Sequence, residues 1–193
     1  MYIQQLLEKG YSVKEFPKDT IIYEPDMQPR FVYFIKSGEI RMVTVNNDGK
    51  EFIQGVFKTG QYFGEPALLI NKPYLAYTIA SKNSEIILVN RVDFFNLLKD
   101  DSEFSMDLIK VLSKRLFYKS MMLEELANEK AEHRLETIIS FLFADISTGE
   151  SLKVTRQDLA DMTGLRVETV IRVVKQLASK DLFILKSGKI IKR

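Results

Sequence analysis

Residues 163–177, TGLRVETVIRVVKQL, combine side chains that could recognise a partner surface. Apolar residues recur every three or four positions, as one buried helix face requires: Val170, Val173, Val174 and Leu177. Two apolar and three charged side chains are expected off that face: Val167, Ile171, Glu168, Arg172 and Lys175. An arginine donates paired hydrogen bonds and a glutamate accepts them. A solvated face does not need the apolar pair and a core would not contain the charges, so this outward face is predicted to contact a partner.

The basic residues of the chain are concentrated around this helix. Residues 151–193 contain ten Lys or Arg and four Asp or Glu, whereas residues 1–150 contain eighteen and twenty-two. The net charge of +2 for the whole chain hides this asymmetry. A basic segment on a mildly acidic body indicates a polyanion partner for that segment alone, although an uneven soluble surface would give the same counts.

Residues 151–193 are predicted to form two helices joined by a turn, followed by a β-hairpin. Thr155 is placed as the N-cap of the first helix, and Asp158 three residues later completes a variant capping box. The turn between the helices falls at residues 163–164. Short β-branched runs around residues 187–188 predict a basic hairpin wing. A helix–turn–helix with a basic wing is an arrangement that docks on DNA.

Residues 15–90 are predicted to form an antiparallel β-structure. Runs rich in β-branched and aromatic residues alternate with turn residues: TIIYE, FVYFIKSGEIRMVTV, EFIQGVF, LAYTIAS and EIILV. The NNDG segment at residues 46–49 tolerates positive φ and predicts a hairpin turn. Many short strands with regular turns favour a sandwich or jelly-roll barrel.

From residue 92 to residue 148 the chain contains no Gly or Pro and is predicted to be helical. Apolar residues recur close to a heptad, with an interruption at Lys119: Ile109, Leu112, Leu116, Leu123 and Leu126. Packing on the chain's own barrel would bury this stripe. The length of the run and its charged outer positions favour instead a parallel seam between two copies of the chain.

In their order and spacing, these segments resemble the CRP/FNR family of bacterial transcription regulators. The start of the family's cyclic-nucleotide-binding-type barrel is similar to FPKDTIIYEPDMQPRFVYFIKSGEIRMV. The family's Gly–Glu cassette is similar to GQYFGEPALL, and its winged helix–turn–helix is similar to TRQDLADMTGLRVETVIRVV. The predicted fold class is α+β, with an N-terminal antiparallel jelly-roll β-barrel, a long dimerisation helix and a C-terminal winged helix–turn–helix domain. The resemblance implies a sensor barrel at residues 1–100, the dimerisation helix at 101–128 and the DNA-binding domain at 129–193.

The resemblance implies that the second helix of the helix–turn–helix enters the major groove of double-stranded DNA. The base-reading positions then fall on Val167, Glu168, Ile171 and Arg172. Arginine can donate to guanine O6 and N7, glutamate can accept from cytosine N4, and valine or isoleucine can pack on thymine methyls. An i,i+4 surface ion pair between Glu168 and Arg172 is the alternative. VETVIR is similar to the FNR branch and predicts a palindromic TTGA-like site, although Ile171 departs from that branch, where a small polar residue is common.

Further residues are implied to contact the DNA backbone, which positions the protein without reading sequence. Thr155 and Arg156 lie at the N-terminus of the first helix, and the other candidates are Thr169, Lys175, Lys186 and Lys189. A merely solvated side chain is the alternative for each of them.

The Gly–Glu cassette lacks the family's phosphate clamp. Members that bind cyclic AMP follow the Gly and Glu, about ten residues later, with an Arg that holds the cyclic phosphate and a Ser. Gly64 and Glu65 are present here, but Leu75 and Ala76 stand at the clamp positions. Charge-assisted hydrogen bonds are among the strong ones, so the sequence predicts an effector other than cyclic AMP. A turn carboxylate bonded to backbone amides is the alternative for Glu65.

The family's adenine-contacting positions fall on Lys119 and Ser120, which are therefore candidates for an effector pocket. Ser120 could hydrogen-bond a ligand and Lys119 could face an acidic one. Placement on the surface or in the seam is the alternative for both residues.

Cofactor chemistry has few candidate ligands in this chain. The absence of Cys excludes disulfides, thiolate metal sites and iron–sulfur clusters. The only histidine, His133, follows the predicted dimerisation helix, which argues against haem and against the His–carboxylate clusters of jelly-roll metalloenzymes. No Cys–His or Ser–His–Asp pair can be assembled, so the chain is predicted not to be an enzyme and to hold no identifiable cofactor or metal.

The expected partners are double-stranded DNA, a second copy of the chain, an unknown small-molecule effector and, from the resemblance, RNA polymerase. The N-terminal MYIQQLLEKG has no basic leader or long apolar run, and no segment approaches the length of a membrane span, so a cytoplasmic location is expected. The alternative function is that of a constitutive DNA-binding regulator whose barrel is purely structural or binds a protein.

Overall fold

The computed structural model describes residues 2–45, 49, 51–127, 130–144 and 146–193, apart from the side chains of residues 122 and 125–127. The chain forms two compact units, Met1–Ile109 and Lys110–Arg193. The first unit contains most of the β-structure: α1 (Tyr2–Glu8), β1 (Val13–Phe16), β2 (Ile21–Tyr23), β3 (Phe31–Ser37), β4 (Glu39–Val45), β5 (Glu51–Lys58), β6 (Tyr62–Phe63), α2 (Glu65–Ile70), β7 (Tyr77–Ala80), β8 (Ser84–Asn90) and α3 (Arg91–Asp100). Helix α4 (Ser102–Ala127) leads into the second unit: α5 (Ala131–Phe143), α6 (Arg156–Thr163), α7 (Val167–Ser179), β9 (Ile184–Lys186) and β10 (Lys189–Ile191).

Two four-stranded antiparallel sheets form the barrel of the first unit, with strand orders β1-β8-β3-β6 and β2-β7-β4-β5. The predicted antiparallel barrel and α+β class are confirmed, because each predicted apolar run contains a strand. Residues 46–48 of the predicted NNDG turn lie outside the described residues.

Strand β3 is almost continuously apolar because both of its faces are covered. Tyr33 and Ile35 belong to the aromatic core of the barrel. Phe34, on the opposite face, packs against Phe104 of α4 with a ring-centroid separation of 6.0 Å. A strand buried on both faces has no reason to alternate polar and apolar residues.

The predicted helical region is divided into three helices, although it contains no Gly or Pro. Asp101 adopts an extended backbone, with φ −123° and ψ 96°, and ends α3. Its carboxylate accepts a hydrogen bond from the backbone N–H of Phe104 at 2.9 Å, which begins α4. A short polar side chain that bonds to nearby backbone can therefore replace Gly or Pro as a helix boundary. The helix predicted at residues 101–128 corresponds to α4.

Several large apolar side chains of α4 are exposed on the single chain. Leu116 and Leu123 of the predicted seam are 67% and 71% exposed, and Ile109, Met106 and Phe117 are exposed as well. Leu112 is half-buried, and the side chain of Leu126 lies outside the described residues. The burial of this stripe between two copies stays a prediction.

Candidate nucleic-acid interface and effector pocket

Helix α7 has two chemically distinct faces. Four of its side chains are buried in the core of the second unit, as predicted: Val170, Val173, Val174 and Leu177. Glu168, Arg172 and Lys175 are exposed, and Ile171 is 40% exposed among them. The buried face holds the helix against α5 and α6, so the mixed outward face is presented on a rigid support.

The position of Val167 differs from the predicted outward placement. It is half-buried and packs against the same core as Val170 and Val174. The spacing explains this placement, because Val167 precedes those residues by three and seven positions and so shares their stripe. The prediction that it falls off the buried face was wrong, whereas its base-reading role stays a prediction.

Glu168 and Arg172 form no salt bridge with each other within the described part of the chain. Both side chains are exposed. The surface ion pair therefore does not account for this face, and the carboxylate and the guanidinium remain available to a partner.

The capping box predicted for α6 is present. The hydroxyl of Thr155 accepts a hydrogen bond from the Asp158 backbone N–H at 3.0 Å, and the Asp158 carboxylate accepts one from the Thr155 N–H at 2.7 Å. Gly164, with φ +70°, ends the helix in the left-handed conformation that favours glycine. These caps fix where α6 begins and ends.

An arginine that the sequence did not single out fixes the turn between these helices. Arg134 of α5 donates a hydrogen bond to the carbonyl oxygen of Thr163 at 3.0 Å. The Thr163 side chain is buried, and its hydroxyl donates to the Leu159 carbonyl at 2.6 Å. The interior of the domain thus holds the Thr163 end of the turn, which sequence spacing alone does not reveal.

Strands β9 and β10 form the predicted wing. Their turn consists of Ser187 at φ +49° and Gly188 at φ +77°, the two left-handed residues that a tight two-residue hairpin requires. Lys186 and Lys189 are directly opposite each other and exposed. The buried Ile190 anchors the base of the wing in the domain core.

Arg156 connects the first helix of the motif to this wing. Its guanidinium Nη2 donates a hydrogen bond to the carbonyl oxygen of Gly188 at 2.9 Å. Partial burial lowers the pKa of Arg156 from its ordinary value, but an arginine remains charged in proteins at neutral pH. Of the other predicted backbone contacts, Thr155 and Lys175 are exposed and Thr169 is half-buried.

In the barrel, the Gly–Glu cassette forms the start of α2. Gly64 has φ +88°, and a Cβ at this position would lie 2.9 Å from the Tyr33 ring. A glycine is therefore required both by the backbone conformation and by the close approach. Glu65 follows as the first residue of α2 and is fully buried.

The two clamp positions are unsuited to holding a phosphate. Leu75 is 84% exposed and Ala76 is buried. One position therefore projects an apolar side chain toward solvent, and the other offers only a methyl group. Neither supplies the cation or hydroxyl that would replace the hydration of a phosphate.

Aromatic rings occupy the core of the barrel. Tyr23 and Tyr74 stack with centroids 3.6 Å apart, and Tyr33 and Phe63 stack at 4.9 Å. The Tyr74 hydroxyl donates to the Phe31 carbonyl oxygen at 3.5 Å. Burial is the main cause that raises the pKa of Tyr74 and of Tyr33. Aromatic side chains of the protein itself thus pack beside the cassette.

The remaining candidates for an effector pocket lie on α4. Lys119 and Ser120 are exposed and belong to the second unit, whereas Gly64 and Glu65 belong to the first. A contact of Lys119 or Ser120 with an effector stays a prediction.

No group of three or more His, Asp or Glu within the described ranges is arranged to hold a metal ion, and His133 is exposed on α5. No helix in the described part of the chain combines the length and apolar character needed to cross a bilayer.

Two family models match the chain. Residues 13–101 match the cyclic nucleotide-binding domain, and residues 133–192 match the Crp-like helix-turn-helix domain. The chain is 26% identical to the cyclic AMP receptor protein of Thermus thermophilus over 87% of its length and 77% of that protein. It is also 26% identical to the global nitrogen regulator of a Nostoc species, over 92% of its length and 83% of that protein.

Among solved structures, a mutant of CooA from Carboxydothermus hydrogenoformans has a similar fold. It superposes with a TM-score of 0.80 at 20% identity, over 96% of this chain and 84% of that one. At this identity the likeness concerns the fold alone.

Proposed function

The chain belongs to the CRP/FNR family of transcription regulators, and we propose that it acts as a homodimer that reads a two-fold symmetric DNA site with α7. The observation that carries this proposal is the mixed outward face of α7. Exposed Glu168, Ile171 and Arg172 stand on a helix whose opposite face is buried, in a DNA-binding helix–turn–helix domain.

Each side chain of this face has a complementary group in the major groove. Arg172 donates to guanine O6 and N7, and Glu168 accepts from the amino group of cytosine. Ile171 packs on a thymine methyl. Val167, half-buried at the first turn of α7, supplies apolar contact at the edge of the same surface. Together these contacts favour TTGA-like half-sites.

Contacts to phosphates position the helix. Lys175, Lys186 and Lys189 are exposed cations on α7 and the wing, and Arg156 and Thr155 lie at the start of α6. Each neutralised phosphate releases counterions, so binding weakens as salt increases.

A second copy of the chain supplies the second half-site. The exposed apolar stripe of α4 is the surface for this pairing, because large contiguous apolar patches on a soluble chain mark interaction sites. Ile109, Leu116 and Leu123 then lie in a seam that excludes water. The two α7 helices contact half-sites whose centres are about 34 Å apart, one turn of the duplex.

Cyclic AMP is not the effector in this proposal. Leu75 and Ala76 provide no phosphate clamp, although relatives of this chain are named as cyclic AMP receptors. In one form of the proposal, the regulator is controlled by a different effector that the barrel binds, with Glu65 among its contacts. In the other form, the barrel is structural and the regulator is constitutive. The stack of Tyr23 on Tyr74 favours this other form.

The family relationship also supports a non-enzymatic role, a cytoplasmic location and RNA polymerase as a partner. Selection from random duplexes with the purified chain tests the proposed function. We expect a palindrome with TTGA-like halves. A selection that returns no palindrome would contradict the proposal, and a palindrome with other halves would contradict only the assigned base contacts.

A further inference from the structure

We propose that Arg156 is a positioning residue for the wing, so that the DNA contacts of the wing lysines depend on it. This inference rests on the proposed function, because it concerns how the same domain reaches DNA. Arg156 Nη2 donates a hydrogen bond to the Gly188 carbonyl oxygen at 2.9 Å, and the two residues are 32 positions apart in the sequence.

The base and the tip of the wing are held in different ways. At the base, Ile190 is buried in the core, and the Leu152 backbone N–H donates to its carbonyl at 2.8 Å. Ser151 forms a further bridge to Ile191. The tip extends beyond these contacts into open space, since a Cβ at Gly188 would meet no atom within 4 Å. Arg156 bonds to this projecting tip.

The tip also carries an internal repulsion. Lys186 and Lys189 are exposed and directly opposite each other across the two strands. Like charges at directly opposed positions destabilise a strand pair. A charge-assisted hydrogen bond from Arg156 to the turn carbonyl opposes the resulting fraying.

The position of Arg156 makes this bond relevant to DNA. It is the first residue of α6, whose N-terminus is fixed by the Thr155–Asp158 capping box. The bond therefore links the wing turn to a rigid part of the helix–turn–helix. With the turn held, both lysines are presented in a fixed register, and the ordering cost of binding DNA is lower.

A double-mutant cycle on the full chain tests this dependence. The wing variant combines Lys186→Gln with Lys189→Gln, and it is measured with and without Arg156→Gln by fluorescence anisotropy on the selected duplex. We expect the wing variant to lower affinity about tenfold in the wild-type background and less than about threefold in the Arg156→Gln background. Lys175→Gln is the matched control, because it removes the same charge and has no hydrogen bond to the wing among the described residues. The loss of DNA affinity caused by Lys175→Gln should be additive with the loss caused by the wing variant.

Amide hydrogen exchange without DNA supplies a second readout. Arg156→Gln should accelerate exchange at residues 186–189 by about tenfold or more while leaving the buried amides of α7 unchanged, and Lys175→Gln should change neither. Additive affinity losses, or unchanged exchange at the wing tip, would overturn the role of Arg156. A wild-type chain that binds no duplex would overturn the proposed function itself, and the inference about DNA contacts with it.

Discussion

The ring of Tyr74 stacks on the ring of Tyr23 with centroids 3.6 Å apart and an angle of 11° between the ring planes. Both side chains are almost fully buried, and Tyr74 immediately precedes the exposed Leu75 at the first clamp position. The segment in which the family resemblance places a phosphate clamp therefore turns an aromatic ring inward here. The first three predictions follow from this tyrosine pair.

Cyclic AMP and cyclic GMP should bind weakly or not at all. The combined substitutions Leu75→Arg and Ala76→Ser should not restore binding, because Leu75 is exposed and tyrosine rings fill the adjacent core. Isothermal titration calorimetry on the wild type and on this variant provides the measurement. Low-micromolar affinity of the wild type for either nucleotide would refute the prediction.

Tyr74→Ala should destabilise the barrel by about 3–5 kcal/mol, as truncations of buried aromatic residues do. Tyr74→Phe is the matched control and should cost about 1 kcal/mol, since it removes only the hydroxyl that bonds to the Phe31 carbonyl. Urea denaturation, followed by a signal from the barrel, gives both values. Equal losses for the two variants would show that the stack contributes little.

The tyrosine cluster should also make the barrel sensitive to alkaline pH. Burial raises the pKa of Tyr74 above that of an unfolded tyrosine. The folded state therefore retains the proton longer, and the free energy of unfolding should fall as pH increases above about 10. The free energy of unfolding of the Tyr74→Phe variant should fall less steeply over the same pH range. Parallel curves for the two proteins, measured by urea denaturation between neutral and alkaline pH, would contradict this linkage.

Arg172→Ala should lose about 1–3 kcal/mol per half-site and relax the preference for the guanine that it contacts. Lys175→Ala, three residues further toward the C-terminus of the same helix, should weaken binding to all sequences equally and reduce the salt slope by about 1. Binding to the selected site and to single-base variants, measured at several salt concentrations, separates the two effects. A generic basic surface would give the same behaviour for both variants.

Leu116→Asp combined with Leu123→Asp should convert the proposed dimer to a monomer, because two carboxylates would be buried in an apolar seam without partners. The monomer should bind the palindrome far more weakly. Lys114→Asp, an exposed position on the opposite side of the same helix, changes the net charge by the same amount and should remain dimeric. Sedimentation measures the assembly, and a double variant that stays dimeric would place the seam elsewhere.

The amino-acid sequence by itself determined the local elements. The strands, the capping box at Thr155 and the tight wing turn depend on residue types a few positions apart, so propensity and periodicity predicted them. The buried face of α7 was equally readable, since Val170, Val173, Val174 and Leu177 share one helical stripe. The same helical spacing also places Val167 on that stripe, at the first turn of the helix.

Only the tertiary structure decided which distant groups meet. Tyr23 and Tyr74 stack because β2 pairs with β7 and the backbone of Tyr74 hydrogen-bonds to the loop that follows β2. Arg156 meets Gly188 because the wing folds back on α6. Asp101 ends a helix through a side-chain hydrogen bond that its residue type permits but does not require. Local sequence restricts each backbone segment through short-range sterics, whereas these contacts depend on the packing of the complete core, which periodicity does not encode.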